Sequence, residues 1–400
     1  MARHYTNPFI ESGREVLIAE AVRTPIGRSN HDKGWYRDVH PNEILGACYT
    51  ELVARTGIDP GQVDDLIIGC TAPFGEQSRN IGRNAWLQVG YPAEVPATTI
   101  DRRCGSGQTA AAMGAAFIAS GMHDLVIAGG VEHMDHVPMN SPAEISKLYG
   151  EPWPAALRDR YDFVSQGESA ELIAERWAIS REEMDEFAVR SHRLATGAIE
   201  AGRFDAEMVP FVLDGQERHG DQTVRPGTNL ETLAGLKTVF RSENGRVTAG
   251  TSSPLSDGAG ALLLASRGAI ESHGLKARAR VLDQTTVGVD PIIMLTGPIP
   301  ATRKLLARNG MTIDDVDLIE INEAFSSVVL AWEKELQPDM DRVNVNGGAI
   351  ALGHPVGATG ARLIATILAE MERRDVEIGL VTMCCGGGLG TATLIQRTES

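Results

Sequence analysis

Short apolar runs bounded by glycines and acidic turns alternate along this chain with longer stretches of helical period. Residues 64–70 (DDLIIGC), 124–130 (DLVIAGG), 258–266 (GAGALLLAS) and 378–384 (IGLVTMC) read as buried strands, being too short and too uniformly apolar for surface helices. Between them, 42–56, 301–309 and the small-residue stretches 104–121 and 357–371 carry helix-like patterns. Strands alternating with helices predict stacked α/β layers.

The pattern repeats itself. GIDPGQVDDLIIGC at 57–70 and GMTIDDVDLIEIN at 310–322 share one grammar: a helix exit, an acidic turn, then an apolar strand. Downstream, 104–121 and 357–371 each open on glycines, continue as a small-residue helix and lead into a strand. Two similar halves side by side account for this echo. The segment 131–250 breaks it, with more charge and more proline, and reads as an insertion in the first half. Inside it Ser180 and Glu183 form a capping box, after which Met184, Phe187, Ala188, Leu194, Ala195 and Ala198 line one helix face as a docking stripe. The run 258–266 then returns as the first half's final strand. The domains expected are 1–130 plus 251–272 for the N-terminal half, 131–250 for the insertion and 273–400 for the C-terminal half.

Composition narrows the function classes. With 400 residues, the chain holds more than one ordinary domain. Lys and Arg number 37 against 53 Asp and Glu, a formal charge of −16 that argues against broad attraction to nucleic acid or anionic membrane. Five scattered cysteines (Cys48, Cys70, Cys104, Cys384, Cys385) fit a reducing compartment rather than a disulfide framework. The amino terminus lacks the apolar core of a signal peptide, and no run is long enough to span a bilayer. A cytoplasmic protein without membrane insertion is expected.

Candidate chemistry collects at a few glycine-rich turns. Cys104, in DRRCGSGQ, stands at the mouth of a small-residue helix, where the dipole and unpaired N–H groups favour thiolate. Its alternative is a buried structural cysteine. His354 lies between Gly353 and Pro355, a turn setting that suits a general base beside a thiolate better than a core position. Asn322, in INEAF at a strand end, is suited to orient a water or polarise a carbonyl; by itself an Asn there is an ordinary turn residue. Cys384 and Cys385 precede three glycines, with no second cysteine cluster to complete a zinc site, and His133 with His136 lacks a third ligand, so no metal is expected. Gly105-Ser106-Gly107 is a weak dinucleotide fingerprint, because position 110 is Ala.

Taken together, RRCGSG around Cys104, NEAF at 322–325, NGGAIALGHPVGATG around His354 and CCGGGLG from Cys384 resemble the thiolase family, with supporting phrases along the whole chain: AVRTPIG, AGGVE, DGAGA and GVDP…GPIPA. The resemblance implies an α/β fold of two βαβαβαββ halves in a five-layer αβαβα arrangement, with a loop domain inserted in the first half. It implies Cys104 as the acylated nucleophile, His354 as its activator and Cys384 as the acid/base at the reacting carbon. Asn322 with a water and His354 would form one oxyanion hole, and the N–H groups of Cys104 and Gly386 the other. Arg225 and Ser253 match CoA-contacting positions, and Met294 and Phe325 match positions near the acyl end. CoA would be a co-substrate, with no tightly bound cofactor, acyl-CoA the partner molecule, and a homodimer or dimer of dimers the assembly.

One departure bears on substrate. Short-chain members carry His-Met-Gly where this chain has Ser165-Gln166-Gly167. Phrases such as FGEQSRNI at 74–81 resemble bacterial degradative thiolases, including steroid-degrading ones. The expected activity is therefore CoA-dependent cleavage of 3-oxoacyl-CoA, as in fatty acid β-oxidation and lipid metabolism. Its alternatives are biosynthetic condensation of two acetyl-CoA, a decarboxylating synthase on the same fold, and a non-catalytic acyl-CoA or lipid carrier. A carrier is disfavoured because Cys104, Asn322, His354 and Cys384 are all present.

Overall fold

The computed structural model describes residues 13–398. Its strands are β1 (Val16–Arg23), β2 (Gly27–Arg28), β3 (Asp65–Gly69), β4 (Ala97–Ile100), β5 (Leu125–His133), the small hairpin β6 (Val212–Leu213) and β7 (Gln216–Glu217), β8 (Ser256–Ser266), β9 (Ala279–Gly288), β10 (Leu318–Ile321), β11 (Ile378–Cys385) and β12 (Leu389–Arg397). All but the hairpin join one sheet, in the order β10-β11-β12-β9-β1-β8-β5-β3-β4, with β2 on the flank of β8.

The order is a duplicated one. In the first half β4, β3 and β5 run parallel while β8 and β1 close it antiparallel. In the second, a Val343–Ile319 bridge, β10 and β11 are parallel, and β12 and β9 close antiparallel. Equivalent residues keep one constant spacing. Gly57 and Gly310 both take left-handed backbone at a helix exit, with φ of 68° and 63°. Asp64 and Asp317 each accept from two N–H groups at the start of the neighbouring strand, at 2.7 and 2.9 Å in one half and 3.1 and 2.8 Å in the other.

Alternation along the strands sorts the core into layers, because successive side chains point to opposite sheet faces. In the first half Leu66, Ile68, Leu125 and Ile127 pack outward against the helix Pro41–Thr56, while Ile67, Val126 and Ala128 face the interior. In the second, Ile319, Ile321, Ile378 and Leu380 pack outward with Leu305, Val329 and Trp332 from the helices Pro298–Arg308 and Ser326–Leu336; Leu318, Val381 and Met383 face inward. Both inward faces meet on one central helix pair, Ser106–Ala119 and Thr359–Arg374, which gives five layers, helix–sheet–helix–sheet–helix.

The chain leaves the sheet after His133 and returns at Ser256, so β8 inserts between β5 and β1. The excursion holds the capped helix Arg181–Glu200, whose Ser180–Glu183 capping box is present and whose Met184, Phe187, Ala188, Ala195 and Ala198 are buried. The two central helices meet at their N-termini through glycine. A Cβ on Gly360 would lie 2.1 Å from the Gln108 nitrogen, and one on Gly107 would lie 2.8 Å from the Gly357 carbonyl oxygen. That contact places the loops preceding both helices side by side.

Candidate active site

Cys104 is delivered by a strained turn. Arg103 takes left-handed backbone (φ 51°), a conformation that costs a non-glycine residue about 1 kcal/mol or more. Ser106 braces it, its hydroxyl accepting from the Arg102 N–H at 2.8 Å and donating to the Arg103 carbonyl at 2.6 Å. Cys104 is buried at 3 % exposure, just ahead of the helix Ser106–Ala119. The N–H groups of Gly386 and of Cys104 itself point at its sulfur, and burial nonetheless pushes the thiol up to about 11. The helix start alone predicts thiolate; desolvation outweighs it, because burying a charge costs more than two backbone dipoles return.

His354 lies on the loop before the second central helix and is buried. Its Nδ1 is 2.6 Å from Thr359 Oγ1, and that hydroxyl donates to the Pro355 carbonyl at 2.9 Å. With the threonine proton committed, Nδ1 carries the hydrogen and Nε2 the lone pair, an assignment made from the bonding pattern. Burial, with Arg362 adding, holds the ring down to about 3. Asn322 Nδ2 stands 3.4 Å from Nε2, while Asn322 Oδ1 is buried without a donor among the described residues. Asn322 is set by the end of β10, where Asn344 accepts from the Ile321 N–H at 2.8 Å and donates to the Ile321 carbonyl at 2.9 Å.

Cys384 comes from the end of β11 and is fully buried, packed with Met294 and Phe325 in one apolar cluster. Burial raises its thiol well above the ordinary range, and the neighbouring Cys104 and Cys385 raise it further. The glycine turn after it folds back so that the Gly387 N–H lies 3.4 Å from the Met294 sulfur. Cys385 faces the other way, its sulfur 2.6 Å from where a Cβ on Gly105 would stand. The result is two adjacent protonated thiols, a neutral imidazole with an available lone pair and inward-pointing N–H groups. Such a set can attack a carbonyl, stabilise the oxyanion formed and protonate a leaving carbon.

Family models decide what this set belongs to. The thiolase N-terminal domain matches residues 16–268 and the thiolase C-terminal domain residues 275–397. The chain belongs to the thiolase family. It is 44% identical over 389 residues to the steroid 3-ketoacyl-CoA thiolase FadA6 of Mycobacterium tuberculosis, covering 96% of this chain and 94% of that one. A 3-ketoacyl-CoA thiolase of Saccharophagus degradans is 41% identical over 395 residues, covering 96% and 98%. Among solved structures, human mitochondrial 3-ketoacyl-CoA thiolase superposes with a TM-score of 0.89 at 34% identity, and the Bacillus anthracis acetyl-CoA acetyltransferase with 0.87 at 38%. Each covers 96% of this chain and 99% of its own. As a thiolase, the protein is an acyltransferase.

The remaining thiolase positions are placed unevenly. Ser253 is tied to the NEAF loop, its N–H donating to the Ala324 carbonyl at 3.0 Å, which sets it beside Phe325. Arg225 stands apart on an exposed turn of the insertion. Its N–H donates to His192 Nδ1 at 3.2 Å, and its guanidinium makes no ion pair with the described residues. No cluster of three or more His, Cys, Asp or Glu able to hold a metal occurs among the described residues, and none of their helices is long and apolar enough to cross a membrane.

Three residues that hold the site together escaped the sequence reading. Thr359 fixes the His354 ring. Glu132, buried at the end of β5, accepts from the N–H groups of Thr71, Ala72 and Gly357, and so binds the His354 loop to the first half. Glu323 accepts from Ser191, Asn344 and the Ile350 N–H, joining NEAF to the insertion. The available signal for both glutamates was a lone charge in an apolar strand-end motif, AGGVE and INEAF.

Proposed function

We propose that this thiolase works degradatively: Cys104 attacks the 3-oxo carbon of a 3-oxoacyl-CoA, and free CoA then carries away the shortened acyl group. What supports the reading is that the neighbouring buried thiols of Cys104 and Cys384 and the neutral His354–Asn322 pair belong to loops set side by side by the close approach of Gly107 to Gly357. As sulfur attacks, the Cys104 proton passes to His354 Nε2, since a thiol near 11 beside an imidazole near 3 rests as the neutral pair. The C2–C3 bond then breaks and its electrons leave on C2 as the enolate of acetyl-CoA. Cys384, kept protonated by burial, gives its proton to that carbon. In the second half-reaction the CoA sulfur attacks the acyl carbonyl, its proton goes to the Cys384 sulfur, and His354 returns its proton to Cys104.

Charge on the developing oxyanions is met by two groups of donors, the N–H groups of Cys104 and Gly386, and His354 with an Asn322-held water. CoA is a co-substrate, with Arg225 on its nucleotide end, Ser253 against the pantetheine, and Met294 and Phe325 at the acyl end. The domain division proposed is residues 1–130 with 251–272, and 273–400, as the two halves, with 131–250 as the inserted loop domain that supplies Arg225 to CoA. β4, paired on one side only at the end of the sheet, is the edge on which a second copy would dock as a homodimer, with a dimer of dimers the larger alternative. Five reduced, buried cysteines support a cytoplasmic setting. The pathway is fatty acid or steroid side-chain β-oxidation, in keeping with relatives named 3-ketoacyl-CoA thiolases and steroid 3-ketoacyl-CoA thiolase.

The test is CoA-dependent thiolysis over 3-oxoacyl-CoA substrates from acetoacetyl-CoA to a steroid side chain. Intact mass is followed in parallel for the native protein and for Cys104→Ser. Rates that rise with chain length or bulk, and an acyl adduct lost in the variant, are expected. Cleavage confined to acetoacetyl-CoA would move the assignment to biosynthetic condensation, and no adduct on the native protein would end the acyl-cysteine mechanism.

A further inference from the structure

Gln166 opens the helix Gln166–Arg176, with Ser165 capping it. Its side chain reaches the glycine turn after Cys384. A Cβ built on Gly386 would meet Gln166 Nε2 at 2.9 Å and Cδ at 3.6 Å, with Arg103 Cγ at 3.8 Å. Gly386 is the residue whose N–H points at the Cys104 sulfur. Gln166 is a partly buried residue, and its amide makes no hydrogen bond with any other described residue. Ser106 is engaged by the Arg103 turn, and Thr359 and Asn322 Nδ2 by His354, so none of these donors is as uncommitted as the Gln166 amide. An amide beside Gly386 whose two N–H donors are committed to no other described side chain is free to turn one of them to a bound acceptor.

We propose that Gln166 is a catalytic residue of this thiolase: its side-chain N–H donates to the carbonyl oxygen held by the N–H groups of Cys104 and Gly386. It would act as a third donor to the acyl group on Cys104. The proposal rests on the acyl-cysteine reading above and deepens it. The ligand group concerned is a thioester carbonyl, neutral in the acyl-enzyme and negatively charged when CoA attacks it. A donor at that oxygen strengthens as charge develops, so its effect falls on kcat rather than on KM. The location also gives the Ser-Gln-Gly triplet a purpose beyond shape. A methionine of the same length would fill the space beside Gly386 and offer no proton.

The test is Gln166→Met, which conserves length, alongside Gln166→Glu, which conserves shape and replaces the donor by an acceptor. Deacylation of the acyl-enzyme by CoA is followed in single turnover, with formation of the Cys104 adduct read by intact mass and the thermal midpoint measured for each protein. The expected result is a fall in the deacylation rate of about 10²-fold in Gln166→Met and more in Gln166→Glu, with KM for CoA and the thermal midpoint essentially unchanged. Deacylation within twofold of native in Gln166→Met, with the adduct still formed, would overturn the role and leave Gln166 as packing. A rise in KM alone would equally overturn it, by making the residue a CoA contact. Native protein that takes no acyl group from any thioester would end the thiolase mechanism itself, and this role with it.

Discussion

The same strand ends and helix starts occur twice in this molecule, yet only one set brings together the thiols to which the proposed mechanism assigns chemistry. At constant spacing Cys104 corresponds to Gly357, Gly69 to Asn322, Val131 to Cys384, Glu132 to Cys385 and His133 to Gly386. Each helix start leans on the other half's strand end. Cys104 lies against Cys384 and Gly386, and Gly357 lies against Val131 and Glu132, where a Cβ would stand 2.7 Å from the Val131 carbonyl oxygen. On the proposed mechanism the first crossing is the reaction site. At the second, Gly357 offers no side chain, Gly69 no amide and Val131 no proton, and the Glu132 carboxylate fills the space with hydrogen bonds to both halves. The duplicated fold supplies two sites of one geometry, and side-chain choice turns one into a nucleophile's pocket and the other into a clamp.

The most direct way to break that comparison is to truncate the paired strand-end residues Cys384 and Val131. Cys384→Ala should lower carbon–carbon cleavage by about 10²–10⁴-fold, the range for losing a general acid, while acylation of Cys104 by a simple acyl thioester continues. Val131→Ala removes two methyl groups from a fully buried site and should cost about 1–2 kcal/mol in denaturant unfolding with kcat within threefold. Equal catalytic losses in both variants would mean that the two crossings are not divided into chemistry and clamp.

Next in size is the clamp itself. Either orientation of a glutamine at 132 turns its NH2 toward backbone donors, those of Thr71 and Gly357 on one side or that of Ala72 on the other. Glu132→Gln should therefore cost about 2–4 kcal/mol, since it replaces accepted hydrogen bonds by opposed donors in a buried site. Because Gly357 sits on the loop that carries His354, kcat should fall along with stability. Loss of stability with kcat intact would show that the clamp holds the halves together without setting the catalytic loop.

Much of this was legible in the chain. The repeat showed itself because 57–70 and 310–322 must build the same helix exit and strand, and left-handed Gly57 and Gly310 mark it. The strand 258–266 and the capped helix after Ser180 follow from local apolar pattern and capping chemistry, which need no tertiary knowledge. The cluster of Cys104, Asn322, His354 and Cys384 was readable only through family motifs, since residues so distant in sequence meet through the crossing of two helices. Thiolate character at Cys104 was misjudged for a related reason: a helix start is visible in sequence, whereas complete desolvation depends on the packing of both halves. Glu132, Glu323 and Thr359 were missed because a lone carboxylate or hydroxyl reveals its task only when its donors and acceptors, drawn from three or four segments, are in place.

The smallest effect is a titration that ties the two crossings to a common environment. His354 is held near 3 and His133 near 4, chiefly by burial, so both are neutral in the folded protein below the ordinary histidine value of 6.5. Between pH 6.5 and those values the unfolded chain binds protons that the folded one does not, so stability must fall as pH is lowered through this window and recover above it. For one such histidine, moving from pH 7.5 to 5.5 costs about 1.4 kcal/mol. His354→Asn should therefore shrink the stability difference between those two pH values by that amount, whatever it does to absolute stability, and His133→Asn should do nearly the same. Denaturant unfolding at both pH values checks it. An unchanged difference in His354→Asn would mean that the ring is charged in the folded state, and the reaction would then begin from a thiolate–imidazolium pair instead of a thiol beside a neutral base.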